Sequence, residues 1–266
     1  MEGIQPGDLN RDFIGNSWFV SAIAALAEFP NRIEKIFLNN KNEISDTGIY
    51  GVNIYTLGIP HTIVVDDYLP LIKNSEGKYT TLYAEVEDSE ESSIWGPIME
   101  KAFAKRYGNY EHIIGGMPSE AIRTLTGAPS ISYKHEEKDA DALWELLTIH
   151  DDSDDFITCG TENADDAQRS LAGLAKGHSY TVLGTLKLSD GKRLVKVRNA
   201  WGSEGFIGAY SDTSELFDDG ETHKSTDDGI WFTTIEDYKN NFSETWISMD
   251  TSNWPVQRFL QLEDDS

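Results

Sequence analysis

The chain has 266 residues, of which 39% are hydrophobic and 26% charged, an ordinary balance for a globular protein with one large core or two modest ones. Its 46 acidic and 22 basic residues give a formal net charge of −24, which argues against nucleic acid or an anionic membrane surface as a partner. No apolar run reaches the roughly 20 residues of a membrane span, and the N-terminal segment lacks the basic start and apolar core of a signal peptide. A single cysteine, Cys159, cannot form an internal disulfide. These features favour a cytoplasmic, intracellular protein.

Helical patterns dominate the first half of the chain. "SWFVSAIAALAEFP" (17–30) carries small and apolar residues on nearly all sides, which predicts a buried central helix that stops at Pro30. "SIWGPIMEKAFAKRYG" (93–108) carries one apolar stripe and predicts a second helix that ends at Gly108. Between them, residues 48–58 and 61–71 alternate in the manner of two strands around a short turn.

Short strands take over after residue 128. Five segments read as strands, "FITCGT", "SYTVLGTLKL", "KRLVKVRN", "GIWFTT" and "TWISMD", and the acidic helix candidate "DADALWELLTI" precedes them. The acidic run 150–155 is interpreted as solvated turns, and Cys159 as a buried packing residue of the first of these strands. The pattern predicts an α+β fold with a helical lobe over residues 1–128 and an antiparallel β lobe over residues 129–266.

One predicted hairpin brings a histidine and an asparagine together. The strands that begin near His178 and end at Asn199 flank an Asp190-Gly191 turn signal, and the two residues lie nearly equidistant from that turn. Because residues equidistant from a hairpin turn face each other, the imidazole and the amide are expected side by side. An imidazole held by an amide is the base and orienting partner of a nucleophilic triad.

Ser17 is suited by its place to be the third member. A group in the first turn of a buried helix lies at the positive end of the helix dipole, which favours an anion. That position lowers the pKa of a thiol usefully, whereas a serine hydroxyl stays un-ionised and needs a base at the moment of attack. The sequence therefore raises the question of whether a hydroxyl can work where a thiolate would be expected.

Six segments, in order, resemble the protease core of calpains, the calcium-dependent cysteine proteases. They are "GNSWFVSAIAALAEFP", "VVDDYLP", "IWGPIMEKAFAKRYGNYEHIIGG", "GHSYTV", "VRNAWG" and "DDGIWF", and because they are spread from residue 15 to residue 232 the resemblance covers nearly the whole chain. The resemblance implies a papain-like fold in two lobes. It assigns His178 as the general base, Asn199 as its orienting partner and Trp201 as the tryptophan that shields the pair.

The same resemblance reveals departures in the nucleophile loop. Ser17 stands where the family has its cysteine, and Arg11 stands where a glutamine donates into the oxyanion hole. Asn16 replaces the usual aspartate, and Ala200 replaces a common proline. A deliberate inactivation needs only the change at position 17, so the additional changes in one loop favour natural loss of catalysis.

The resemblance also implies calcium as a cofactor, bound at two sites. Gly3, Asp8 and Glu111 match the first site, and Glu204, Asp212 and Asp228 match the second. Ile230 stands where the second site is expected to have a glutamate, and calcium takes six to eight oxygen ligands, so the second site should be weakened. Exposed acidic residues without a bound ion are the alternative interpretation.

Two functions remain open at this stage. The first is a catalytically inactive, calpain-like module that serves a structural or protein-binding role, with proteins or an extended peptide in the cleft between the lobes, as one part of a larger assembly. The second is a calcium-dependent cysteine endopeptidase whose nucleophile has been replaced by serine through engineering. The residue encoded at position 17 in the natural gene distinguishes them.

Overall fold

The computed structural model describes residues 4, 9–10, 15–39, 44–73, 77, 79–82, 84–86, 94–212, 214 and 228–255. The helices are α1 (Ser17–Ala27), α2 (Pro30–Ile36), α3 (Trp95–Tyr107), α4 (Pro118–Thr126), α5 (Ala140–Asp151) and α6 (Ile235–Asn241). The strands are β1 (Leu9–Asn10), β2 (Ile49–Thr56), β3 (Ile59–Asp66), β4 (Leu71–Lys73), β5 (Tyr79–Thr81), β6 (Glu85–Val86), β7 (Ser130–Lys134), β8 (Phe156–Gly160), β9 (Ser179–Lys187), β10 (Arg193–Asn199), β11 (Ile230–Thr234) and β12 (Glu244–Ser248). None of the helices among these residues has the length and apolar character required to span a bilayer.

A six-stranded antiparallel sheet dominates the second half of the chain. Its strand order is β11-β10-β9-β8-β12-β7, so the predicted β9–β10 hairpin lies at its centre. The first half contributes helices and three two-stranded pairs, β1–β6, β2–β3 and β4–β5. The predicted α+β fold class is confirmed.

Helix α1 is the central helix that its sequence predicts. All of its residues are buried, and it packs against α2 and α4 on one side and against β8 and β9 on the other. Alternation along β9 explains the contact between α1 and the sheet. Thr181 faces α1 and donates from its hydroxyl to the carbonyl of Ser21, while Tyr180 and Val182 face the opposite way, into a hydrophobic cluster with α5 and α6. The sheet is therefore covered by α1 on one face and by a separate core on the other.

Two hydrophobic clusters divide most of the core. One centres on α1, α3, α4 and β2 and extends to Phe156 and Ala200, and the other lies among α5, α6 and the large sheet. The first cluster thus draws on residues beyond position 128, so the division into lobes at 128/129 stays a prediction.

The structure corrects two details of the sequence prediction. Asn199 pairs in register with Tyr180, not with His178, because Arg193 pairs with Lys187, which centres the hairpin on Asp190 and not on the midpoint between His178 and Asn199. The register shift between Lys196 and Val197 moves Asn199 one residue closer to His178 but not opposite it. The acidic run 150–155 is not simply solvated turn, since Asp151 lies in α5 and accepts hydrogen bonds from the amide and hydroxyl of Thr185. Asp155 accepts from the amide of Asp250 at 2.7 Å. Both carboxylates therefore fix elements of the second half to each other.

Candidate functional site

Ser17 is the first residue of α1 and is almost completely buried, with 7% of its surface exposed. The carbonyl of Asn16 accepts from the amides of Phe19 and Val20, which starts the helix. Amides at the start of a helix lack acceptors within the helix, so the positive end of the α1 dipole lies at Ser17. The backbone amide of Ser179 donates to the Ser17 hydroxyl across a long 3.4 Å, which places the start of α1 against the start of β9.

His178 and Asn199 are in contact, as the hairpin predicts. The imidazole Nε2 lies 2.8 Å from the Asn199 Oδ1 atom. Asn199 donates from Nδ2 to the carbonyl of Ser203 at 3.0 Å, and the amide of Trp201 donates to Oδ1 at 3.1 Å, so the amide orientation is fixed by two further bonds. Because Oδ1 is an acceptor, Nε2 carries the proton and Nδ1 has the lone pair. This is the tautomer that a general base requires.

Backbone geometry before His178 depends on a glycine. Gly177 has φ = +56°, and a Cβ atom there would lie 1.9 Å from the carbonyl oxygen of Ala164. Only glycine fits both the left-handed conformation and this close approach. The contact holds His178 directly before the start of β9, where its side chain reaches Asn199 although the two residues are not register partners.

Burial keeps His178 neutral. Its ring is stacked obliquely on Trp201, with the centroids 4.2 Å apart, and 2% of the residue is exposed. Burial lowers the pKa of the imidazole from 6.5 to about 4, a shift that the Asn199 hydrogen bond opposes and the charge of Arg169 increases. At neutral pH the site therefore has an uncharged base instead of an imidazolium.

The nucleophile and the base are not joined by a hydrogen bond. Nδ1 of His178 is buried and has no hydrogen-bond partner among the described residues, Ser17 included. A serine that is to attack needs that bond to lose its proton, although such bonds tighten in some enzymes only when substrate is bound. The arrangement can orient a base beside a hydroxyl, but it does not activate the hydroxyl beforehand.

A buried carboxylate supports the nucleophile loop. Glu100, in α3, accepts a short hydrogen bond from the side-chain amide of Asn16 through Oε1 and one from the amide of Ala84 at 3.0 Å through Oε2. Both Glu100 and Asn16 have 1% of their surface exposed. Glu100 was not among the predicted site residues, although a glutamate beside apolar Met99 and Ile98 in a buried helix was the available signal.

Three of the predicted site residues lie outside the described residues. They are Arg11, the predicted oxyanion residue, and the predicted calcium ligands Gly3 and Asp8. Cys159 is fully buried in β8, and burial raises the pKa of its thiol, so it packs as predicted and is not a substitute nucleophile.

The predicted calcium ligands are only partly brought together. The carboxylate of Glu204 accepts from the amide of Asp212 at 3.1 Å, whereas Asp228 accepts from the amide of Ile230 at 3.0 Å and Glu111 is exposed. Within the described ranges, no three histidine, cysteine, aspartate or glutamate residues form a group that could hold a metal ion. These side chains alone do not supply the six to eight oxygens that calcium requires. Calcium binding stays a prediction.

Arg169 is a further residue near the site that the sequence did not indicate. Its guanidinium carbon lies 4.7 Å from the centroid of the Trp201 ring. Trp201 in turn covers the imidazole of His178, so the loop that carries Arg169 and the loop that carries Trp201 must lie side by side. No local sequence pattern predicts that contact.

Comparisons with known proteins show the family of the chain. The family model described as calpain family cysteine protease matches residues 1–249. The chain is 28% identical over 257 residues to the calpain-type cysteine protease DEK1 of Zea mays and 30% identical over 245 residues to human calpain-14. These matches cover 92% and 88% of the chain but only 11% and 34% of the two relatives, so the chain spans a small part of their length. The chain belongs to the calpain family of cysteine proteases.

Proposed function

We propose that this calpain-type protease domain binds an extended peptide in its cleft but hydrolyses peptide bonds poorly or not at all. The observation that carries the proposal is that the Ser17 hydroxyl occupies the nucleophile position without a hydrogen bond to His178. A thiol in that place can ionise in advance, while a hydroxyl beside an unconnected neutral base cannot.

The substitution at position 11 adds to this effect. An arginine in place of the glutamine donor removes one amide from the oxyanion hole, and loss of one such donor costs on the order of 10²–10³ in rate. The module then serves as a protein-binding or structural part of a larger assembly. Clefts of this kind hold extended peptides through backbone hydrogen bonds, which do not require the nucleophile.

A second candidate is a calcium-dependent cysteine endopeptidase whose cysteine has been replaced by serine. The observation in its favour is that His178, Asn199 and Trp201 retain a complete hydrogen-bonded and stacked arrangement. The two candidates differ in how many substitutions are needed to restore hydrolysis.

The deciding experiment is a peptide-hydrolysis assay, with and without millimolar calcium, on the unmodified chain, Ser17→Cys, and Ser17→Cys with Arg11→Gln. We expect no turnover from the unmodified chain and at least 100-fold more from the double variant than from Ser17→Cys. His178→Ala in the double variant is the control, since it must abolish any turnover that uses this site.

The other outcomes discriminate between the candidates. Efficient hydrolysis by Ser17→Cys alone supports the endopeptidase and shows that Arg11 is tolerated. Efficient hydrolysis by the unmodified chain contradicts the proposal of inactivity.

Calcium binding is proposed as the means of ordering the loops and joining the lobes. Isothermal titration with millimolar calcium should give a saturable heat that weakens in Asp212→Asn. A titration without heat removes this part of the proposal and leaves the peptide-binding part standing.

A further inference from the structure

The loop before His178 forms one wall beside the predicted base. Within it, Ser170 donates from its amide to the carbonyl of Leu174 at 2.8 Å, and Lys176 donates to the carbonyl of Gln168 at 3.0 Å, so the loop pairs with itself. The amide of Ile207 donates to the carbonyl of Ala172 at 2.8 Å and joins this wall to the segment after Trp201. The wall is thus held by backbone hydrogen bonds on both sides.

Arg169 presents an exposed positive charge on this wall. Its Nη1 donates to the backbone carbonyls of Asp166 at 2.6 Å and Gln168 at 3.3 Å, and it forms no ion pair with the carboxylates of the described ranges. By contrast, the buried Arg32 is paired with Asp250 at 3.1 Å. In a chain with 46 acidic residues, an exposed arginine beside the site that has no carboxylate partner among the described residues is available to a ligand.

Two carboxylates of the loop have their own contacts, and Asp166 contacts Arg169 through its backbone carbonyl. Glu162 lies 3.9 Å from the ammonium of Lys176, and Asp165 accepts from the amide of Ala167 at 3.0 Å. These carboxylates make the surroundings acidic, so a ligand that binds Arg169 must approach the guanidinium directly.

Chemistry fixes which side of the cleft Arg169 faces. The base that takes the proton of the nucleophile afterwards gives it to the leaving amine, so the leaving group lies on the imidazole side. Trp201 covers that imidazole and Arg169 covers Trp201, which puts the guanidinium no more than about 9 Å from the imidazole centre. An extended chain advances about 3.3–3.6 Å per residue, so this distance spans at most two or three residues.

We propose that Arg169 makes the leaving-group side of the cleft selective for peptides with an acidic side chain one or two residues after the position held at Ser17. Leu171 and Ile207, which are exposed on the same wall, receive an apolar neighbour of that acidic residue. The inference rests on the proposed peptide-binding function and names the class of peptide that the cleft takes.

Disulfide tethering tests this without requiring catalysis. The Ser17→Cys chain is equilibrated with 2-mercaptoethanol and with decapeptides whose one central cysteine is present as the mixed disulfide with 2-mercaptoethanol, so that attack by the introduced thiol forms the protein–peptide disulfide and releases 2-mercaptoethanol. Intact mass spectrometry measures the tethered fraction. Cys159 does not compete because it is fully buried. The peptides come in pairs with Glu or Gln two residues after the cysteine, and in mirror pairs with Glu or Gln two residues before it.

We expect the equilibrium constant for disulfide exchange with the chain to be about threefold larger for the peptide with Glu on the C-terminal side than for the peptide with Gln there. A threefold ratio corresponds to the free energy of an exposed ion pair. The mirror pairs should show no difference. Arg169→Gln should remove the preference, Arg169→Lys should keep part of it, and 0.5 M salt should reduce it. Arg123→Gln is the matched control, since it removes an exposed positive charge on α4 and should leave the preference unchanged.

Three results would overturn the inference. Two of them contradict only the role of Arg169, and the third contradicts peptide binding as well. Equal tethering of Glu and Gln peptides, or a preference that persists in Arg169→Gln, contradicts the role of Arg169 and leaves the peptide-binding cleft standing. Failure of every peptide to tether better than 2-hydroxyethyl disulfide contradicts the peptide-binding cleft itself.

Discussion

The base side and the nucleophile side of this site differ in how firmly their chemistry is fixed. On the base side, His178, Asn199 and Trp201 are joined by bonds of 2.8–3.1 Å and a stacked ring pair. On the nucleophile side, the Ser17 hydroxyl has, among the described residues, a single hydrogen bond of 3.4 Å. Packing of the hairpin produces the base side whether or not the protein is an enzyme. The reactive atom at position 17 is not needed for packing, so it can change without loss of the fold.

The largest expected effect lies on the nucleophile side. Glu100→Ala removes the acceptor for the Asn16 side chain and for the amide of Ala84, both in buried surroundings. Because unsatisfied buried donors and a lost charged acceptor are costly, we expect the free energy of unfolding to fall by about 4 kcal/mol. Urea denaturation measures this change. Glu100→Gln keeps a carbonyl acceptor and should lose clearly less; equal losses would mean that these hydrogen bonds do not stabilise the loop.

A smaller effect is expected from pH, and it distinguishes two buried histidines. Burial lowers the pKa of both His178 and His135 from 6.5 to about 4. Between these values the unfolded chain binds protons that the folded chain does not, so stability is complete above pH 6.5 and falls as the pH falls towards 4. Each histidine should account for about 3 kcal/mol of the loss between pH 7 and pH 4.

His135→Gln isolates one of these contributions. Glu28, whose pKa burial raises to about 7, acts with the opposite sign, so only the difference between the variant and the unmodified chain is informative. The variant should lose about 3 kcal/mol less on acidification than the unmodified chain does. An identical loss in both would contradict the assignment to His135.

Trp201→Ala should move the pKa of His178 back towards 6.5, as measured by NMR titration, because it uncovers the imidazole.

The sequence predicts the elements better than the contacts between them. The small and apolar residues of α1 and the glycine after α3 determine these two helices locally, and both are found as predicted. The hairpin prediction brings His178 to Asn199 correctly but misses the register, because the ladder is centred on Asp190 and the turn residues alone do not fix that centre to the residue.

Contacts between distant segments could not be predicted from one sequence. Glu100 meets Asn16 across 84 residues, and the guanidinium of Arg169 meets Trp201 only because two loops are hydrogen-bonded together. Neither contact follows from periodicity or turn chemistry, since both depend on how whole elements pack. The resemblance to calpains predicts the site residues, but it does not predict what the substituted residues of the nucleophile loop contact.

The smallest expected effect concerns the connection between the two sides. Thr181, in β9, donates to the α1 carbonyl of Ser21 at 2.8 Å, while its register partner Thr158 in β8 has a buried hydroxyl without a hydrogen-bond partner among the described residues. Thr181→Val should cost about 1 kcal/mol of unfolding free energy, because a buried hydrogen bond is lost while the shape is kept. Thr158→Val is the matched control and should be neutral or stabilising, since it removes an unsatisfied hydroxyl. If both variants lose the same stability, the hydroxyl of Thr181 does not hold α1 to the sheet, and the base and nucleophile sides are aligned by apolar packing alone.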